Sequence, residues 1–438
     1  MFLAILSGPP RLRVRDPLAS LSGVVDYAVL ISALVWGLAA FWVFLNLGGF
    51  LLLRKSLPRF EPLVVLALLL GALLSLSALL ANPILLPLYR AIQTLIAVMF
   101  GFFWVRRFGI DSTLRHLLAG FIAMGIAIGV CAVATPGLVW VDEGGTALQA
   151  AKFGEGFVDF AEGAARLRGD YIGPTGTTAV IGLVLLLGYP TLLLRYPTLK
   201  RRVAYLFAVA LLLTLFILAR ERAAYVAFAL FVLLAYVSFP ASRPLRLFLY
   251  SLPIGASIVI VAGWVAPLSG WLIREQDTVS TLSDRIPLWQ FTASYVVENV
   301  FWFGYGLSAN RTITLAYNEG LGTSHSAYLE IFSGGGMISF AVFMVLLVLE
   351  LAVAIRLLAW FGRRPEVFVI VSLLLATIVF GVVSEEIVIA SPASLVFWVL
   401  PSLLSVANRT SKVGAQRGEN GSDTETIASS QPLSTTRR

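Results

Sequence analysis

The sequence predicts an all-α fold: a polytopic transmembrane helical bundle of about 11–12 spans, with one large loop that carries short helices. Three observations predict it. Hydrophobic residues make up 58% of the 438 residues and charged residues only 13%, roughly half the charged share of a soluble domain. Mean hydropathy is +0.89, and the apolar residues fall in runs near the roughly 20 that cross a bilayer as one helix. Short segments of alternating hydrophobicity, the mark of a transmembrane β-barrel, are missing from the sequence.

The apolar runs lie near 25–53, 62–82, 85–105, 116–138, 173–195, 203–219, 223–239, 246–268, 335–360, 366–383 and 388–407. The first is long for one span and short for two. Basic loops fall at Arg54, Lys55 and Arg59, at Arg106, Arg107 and Arg115, at Lys200, Arg201 and Arg202, at Arg243 and Arg246, and at Arg363 and Arg364. They alternate with acidic or neutral loops at Asn82-Pro83, 139–172, 220–222, 265–326 and Glu385-Glu386. Short loops rich in Lys and Arg stay in the cytoplasm, so the five basic loops share that side and the long polar loops face outward. This parity puts the N-terminus outside, against Arg11, Arg13 and Arg15; a broken first helix or one more short span would reconcile the two. The apolar start, residues 1–7, is too short for a cleaved signal peptide. From Asn408 the composition turns to Ser, Thr, Gly and Gln, which cannot bury a core. A transmembrane domain of residues 1–407 is therefore expected to end in a disordered cytoplasmic tail, 408–438.

Composition also removes function classes. The single cysteine, Cys131, permits no intrachain disulfide and no Cys-based metal site. The net charge of +8 sits in short loops between spans, where it reports topology rather than nucleic-acid binding. No Walker A motif and no dinucleotide fingerprint occurs, so no cofactor is expected. Of the two histidines, His116 falls on the cytoplasmic side and His325 on the other. With no carboxylate pair at ligand spacing beside His325, no metal is expected.

Chemistry is to be sought where the chain leaves the membrane, and three segments stand out there. The first is Leu218-Ala-Arg-Glu-Arg-Ala-Ala-Tyr225, the whole connection between two apolar runs. It places Arg220, Glu221 and Arg222 at the membrane–water boundary, where charge is costly and a neutral turn would be usual. Arg222 opens a helix, whose N-terminus favours an anion, and a guanidinium grips phosphate bidentately; a snorkelling arginine paired with Glu221 is the structural alternative. The second is Ser283-Asp-Arg-Ile-Pro-Leu-Trp-Gln290, with Gly304-Tyr-Gly306 after it. Ser283 or Asp284 caps a helix beginning near Ile286, and Leu288, Phe291 and Tyr295 at helical spacing are expected to rest on the membrane surface. The third is Ser324-His-Ser-Ala-Tyr-Leu-Glu-Ile-Phe-Ser-Gly-Gly-Gly336. His325, Tyr328 and Leu329 fall on one helical face, and the three glycines allow a bend. Histidine can act as a general base near neutral pH, though a lone histidine is more often structural.

In order and spacing, these segments resemble the O-antigen ligase/polymerase superfamily. The family's Ser-Arg-Gly turn reads here Glu221-Arg222-Ala223. Its Arg…Trp segment with Gly-x-Gly reads Arg285-Ile-Pro-Leu-Trp289 with Gly304-Tyr-Gly306. Its His-Asn-x-x-Leu before a Gly-rich helix start reads His325-Ser-Ala-Tyr-Leu329 with Gly334, Gly335 and Gly336. Arg168-Gly-Asp-Tyr-Ile-Gly-Pro-Thr-Gly176 is similar to its Gly-x-x-x-Asn-Pro-Asn stretch. The resemblance covers about 160–345; there Ser has become Glu, His-Asn has become His-Ser, and Asn-Pro-Asn has become Gly-Pro-Thr.

The resemblance implies a metal-independent GT-C-type membrane glycosyltransferase in the bacterial inner membrane, its active site facing the periplasm through the loop 265–326. The implied donor is a glycan on undecaprenyl diphosphate, and the reaction inverts the anomeric carbon. The acceptor is a lipid A-core sugar for a ligase, or a second lipid-linked repeat for a surface-polysaccharide polymerase. Two arginines at the membrane surface would stabilise the diphosphate leaving group, which gives Arg222 and Arg285 as donor-binding residues. His325 is the catalytic candidate, activating the acceptor hydroxyl or orienting the donor; Arg220, Tyr328, Arg168 and Asp170 are further substrate-binding candidates. A transporter is the alternative of another class. It would show ionisable residues at mid-membrane depth, for which Arg90 and Glu350 are the hints.

Overall fold

The computed structural model describes residues 27–54, 60–81, 84–135, 139–142, 165–167, 175–194, 198–238, 285–308, 310–317, 324–361, 364–384, 388 and 392–422. In chain order the elements are α1 (Tyr27–Arg54), α2 (Pro62–Leu79), α3 (Leu85–Ala134), β1 (Trp140–Asp142), β2 (Ala165–Leu167), α4 (Thr175–Gly188), α5 (Thr191–Leu194), α6 (Leu199–Ala219), α7 (Arg222–Ser238), α8 (Arg285–Asn299), α9 (Asn310–Tyr317), α10 (Ala327–Phe361), α11 (Pro365–Val383) and α12 (Pro392–Ser422). Among the described residues five helices are long and apolar enough to cross a membrane, and three shorter apolar ones accompany them. The chain is an all-α, polytopic membrane protein. Ten of the eleven predicted runs appear as helix; the run 246–268 lies outside the described residues.

Local chemistry sets the helix boundaries. Pro62 and Pro365 open α2 and α11 at the first helical position, where a missing N–H costs nothing. Thr198 caps α6 by accepting the Arg201 backbone N–H at 3.4 Å. Two predicted runs, 85–105 and 116–138, are joined in α3 through Gly109, whose φ of +77° and ψ of 176° break the helix between them. The loop after α3 adds a feature that the sequence did not predict. The three-residue strands β1 and β2 pair antiparallel, Trp140 opposite Leu167. Buried Trp140 anchors them by donating from Nε1 to the Ala132 carbonyl at 3.0 Å.

Contacts at the helix ends sort the bundle into two faces. At one end Arg107 reaches Asn46 of α1 at 3.4 Å, Tyr189 donates to Asp111 at 2.9 Å, and Arg409 of α12 pairs with Glu61. The Tyr189 phenol is pushed up to about 12, first by burial and then by its hydrogen bond to Asp111. This is the face of Arg106, Arg107 and Arg364, as the charge pattern predicts. It also fixes α1 as running from the other face towards the basic one.

α4 and α11 run antiparallel. A Cβ at Gly188 would stand 2.7 Å from Val369 Cγ2 and 3.4 Å from Phe231 of α7. Counting back at 1.5 Å per residue, Gly176 lies about 18 Å and Val383 about 21 Å from that contact. The start of α4 and the end of α11 therefore share one level, on the face opposite the basic loops.

α12 remains helical to Ser422, where the composition predicts disorder from Asn408. Nucleation, the costly step of helix formation, is already met by the buried turns before it, so extension proceeds on weak propensity. Thr410 back-bonds to Val406 and Ala407, and Arg409 is held by Glu61. Residues 423–438 lie outside the described residues.

Candidate active site

The face opposite the basic loops carries the segments singled out by sequence. The 220–222 turn leaves α6 through Arg220 at φ 46°, ψ 40°. Left-handed backbone is costly for a residue with a Cβ. It turns the chain back within two residues, and Arg222 starts α7. The Glu221 side chain reaches the first turn of α4, where a Cβ at Gly176 would come within 1.9 Å of Glu221 Oε2. Arg220, half-buried, lies within electrostatic reach of Tyr225, as does Glu221.

Arg285 is the first residue of α8 and donates from Nη1 to the Val383 carbonyl at 2.8 Å, at the end of α11. One turn later Trp289 Nε1 donates to the Ser324 carbonyl at 2.8 Å, next to His325. These two bonds tie α8 to the His325 turn and to α11 together. The membrane-surface expectation for α8 is not met. Leu288, Thr292 and Val296 are buried, because this face packs on α10, while the Phe291 ring lies tilted against Tyr317 and Tyr295 meets Tyr305. Tyr305 is shifted upward first by its hydrogen bond to Tyr295 and then by burial, so it stays a neutral phenol.

His325 does not share a helical face with Tyr328 and Leu329, as the spacing predicts. It precedes α10 at φ 51°. The helix begins after it, with the Ser326 carbonyl accepting the Glu330 N–H at 2.9 Å. The small, buried Ser326 can take the cap position that satisfies the first turn, and that leaves His325 in the turn leading in. The Tyr328 hydroxyl lies 3.4 Å from the Ile378 carbonyl of α11, and its ring packs against Phe343.

Gly336, at φ 67°, breaks α10, and the 301–306 segment repairs the break. Met337 and Ile338 donate to Phe301 and Trp302 carbonyls at 2.7 and 3.4 Å, while Tyr305 and Gly306 donate to Ser333 and Gly334 carbonyls at 2.8 and 2.6 Å. Ser77 of α2 donates to the Gly334 carbonyl and accepts the Gly306 N–H. Irregular backbone at membrane depth must be satisfied by protein in this way.

Sequence reading missed two residues here. Ser77 gave no signal within an apolar run. Glu330, wholly buried, accepts the Ser308 N–H with its carboxylate; a lone acid entering an apolar helix is the signal that could have found it.

Arg168 and Asp170 lie outside the described residues, as do Glu385, Glu386 and the Arg222 side chain. Among the described residues no three His, Cys, Asp or Glu converge to hold a metal ion.

The family model described as O-antigen ligase matches residues 207–344. The matched segment holds the 220–222 turn, Arg285, the 304–306 turn, His325 and the three glycines, and it supports the resemblance to the O-antigen ligase/polymerase superfamily. No curated protein matches the chain.

Proposed function

We propose, from the O-antigen ligase match over residues 207–344, that the chain is a GT-C-type glycosyltransferase of the bacterial inner membrane. It moves a glycan from undecaprenyl diphosphate to a lipid A-core sugar at the periplasmic face. One observation carries this reading beyond the family. Two hydrogen bonds from α8, Arg285 to Val383 and Trp289 to Ser324, hold a guanidinium and the His325 turn on one rigid support.

The chemistry follows from the charges. An acceptor oxygen bonds to the anomeric carbon from the side opposite the diphosphate, and the bond from that carbon to the phosphate oxygen breaks with its electron pair. Charge grows on the diphosphate at the membrane surface, where Arg222 and Arg285 neutralise it without a metal ion. His325 activates the acceptor or orients the donor. Its left-handed backbone is the kind of strain that persists where surrounding structure over-determines it.

The test is complementation of a ligase-null bacterium whose donor glycan the wild type accepts. Wild type restores attachment, whereas His325→Ala, Arg222→Ala and Arg285→Ala, each present in the membrane at wild-type level, leave the glycan lipid-linked. Rescue by all three variants would contradict the site. Restoration of chain length in a polymerase-null strain, without rescue of the ligase-null one, would make the chain a polymerase.

One observation favours a transporter as the second reading. Both Glu350 carboxylate oxygens are buried within α10 and make no hydrogen bond. That reading predicts that Glu350→Gln stops lipid-linked glycan from crossing the membrane; the transferase reading predicts that the attachment reaction survives it.

A further inference from the structure

The start of α4 brings together a buried hydroxyl and a carboxylate that the donor-side chemistry does not use. Thr175, the first residue of α4, is 1% exposed, and its Oγ1 has no hydrogen-bond partner. Leaving a buried hydroxyl unsatisfied costs about 1–3 kcal/mol, so it requires a reason. Beside it the half-buried Glu221 side chain lies over Gly176, so close that a Cβ there would stand 1.9 Å from Oε2, 2.8 Å from the carboxyl carbon and 2.9 Å from Cβ. Only glycine admits the carboxylate at this place. A helix N-terminus stabilises negative charge, and α4, at 14 residues, is long enough to do so.

We propose that Thr175 and Glu221 form the acceptor-sugar subsite, and that Glu221 takes the proton of the attacking hydroxyl. The inference rests on the glycosyltransferase reading and divides the site in two. His325 and Arg285, tied together through α8, serve the donor together with Arg222; the first turn of α4 and Glu221 serve the acceptor. A hydroxyl and a carboxylate are the partners a sugar needs, the first donating to or accepting from a ring substituent, the second accepting only.

The step balances. As the acceptor oxygen bonds to the anomeric carbon, that carbon's bond to the diphosphate oxygen breaks and the diphosphate carries away the electron pair. The hydroxyl proton passes to the Glu221 carboxylate and from there to water. The oxygen becomes strongly acidic only as the new bond forms, so a carboxylate held at a helix N-terminus is base enough.

The experiment uses the purified full chain in vesicles, with an undecaprenyl-diphosphate-linked oligosaccharide as donor and lipid A-core as acceptor. Glu221→Gln keeps the shape and removes the base. Its kcat is expected to fall about a hundred- to ten-thousand-fold at an unchanged donor KM, and formate is expected to restore part of the rate to Glu221→Ala. Thr175→Val is expected to raise the acceptor KM about tenfold, the loss of one hydrogen bond. Gly176→Ala alters no reacting group but displaces the flexible carboxylate, and is expected to lower kcat at least tenfold while the helical circular dichroism and melting temperature stay near wild type.

A Glu221→Gln enzyme within threefold of wild type overturns the assignment and leaves the glycosyltransferase reading standing. So does a loss that appears only as a raised donor KM. Wild type that transfers nothing under conditions where it moves the lipid-linked donor across the vesicle membrane overturns both.

Discussion

Three non-glycine residues have left-handed backbone among the described residues: Arg220, Ser308 and His325. Each such conformation costs of order 1–3 kcal/mol, and all three lie in turns of the matched segment. The sequence identified Arg220 and His325 through charge and rarity, but not through conformation. Arginine and histidine carry no mark of positive φ, which is why His325 read as helical. Arg285 was legible as an arginine near a helix start; its anchor, the Val383 carbonyl, stands 98 residues away and was not. That anchor yields a prediction. A guanidinium can hold a carbonyl with one N–H and face a phosphate with the rest of its fork, whereas an ammonium is a single point charge. Arg285→Lys is therefore expected to lose at least tenfold in kcat/KM for the donor despite its retained charge, measured as transfer in vesicles. A lysine variant within twofold of wild type would show that charge alone suffices.

At the scale of elements, the apolar runs were read closely because a span must be long and uninterrupted. α2, α6, α7 and α11 match their runs within a few residues. The short helices α8 and α9 appear within the predicted outer loop. What the sequence could not supply was pairing across distance. Gly334, Gly335 and Gly336 predicted a bend, but not that 301–306 would bond both sides of it or that Ser77 would bridge the two. Stability should follow this network. Ser77→Ala removes its bonds to the Gly334 carbonyl and the Gly306 N–H, which keep their bond to each other, so a loss of about 0.5–1.5 kcal/mol is expected. Gly336→Ala should cost more, since its Cβ would meet the Phe303 backbone nitrogen at 2.4 Å at a φ of +67°. Thermal unfolding in detergent, followed by tryptophan fluorescence, checks the order: wild type, then Ser77→Ala, then Gly336→Ala. Equal melting temperatures would mean that the splint adds nothing.

At the scale of the whole molecule, alternating loop charge gave the two faces. Contacts at both ends reproduce that division without reference to charge: Tyr189 with Asp111 and Arg409 with Glu61 at one end, Arg285 with Val383 and Ser77 with Gly306 at the other. Sidedness is legible because the cost of moving charge through lipid leaves its record in every loop. The helical reach of α12 was not, since polar composition cannot report a helix already nucleated upstream. The central claim is that the face opposite the basic loops transfers a lipid-linked glycan without metal assistance. Its most direct test is the purified chain in proteoliposomes with an undecaprenyl-diphosphate-linked oligosaccharide, a lipid A-core acceptor and a chelator. The account predicts glycosylated lipid A-core and released undecaprenyl diphosphate in equal amounts, undiminished by the chelator and abolished by His325→Ala. Product that vanishes with the chelator, or an undiminished yield from the His325 variant, would contradict it.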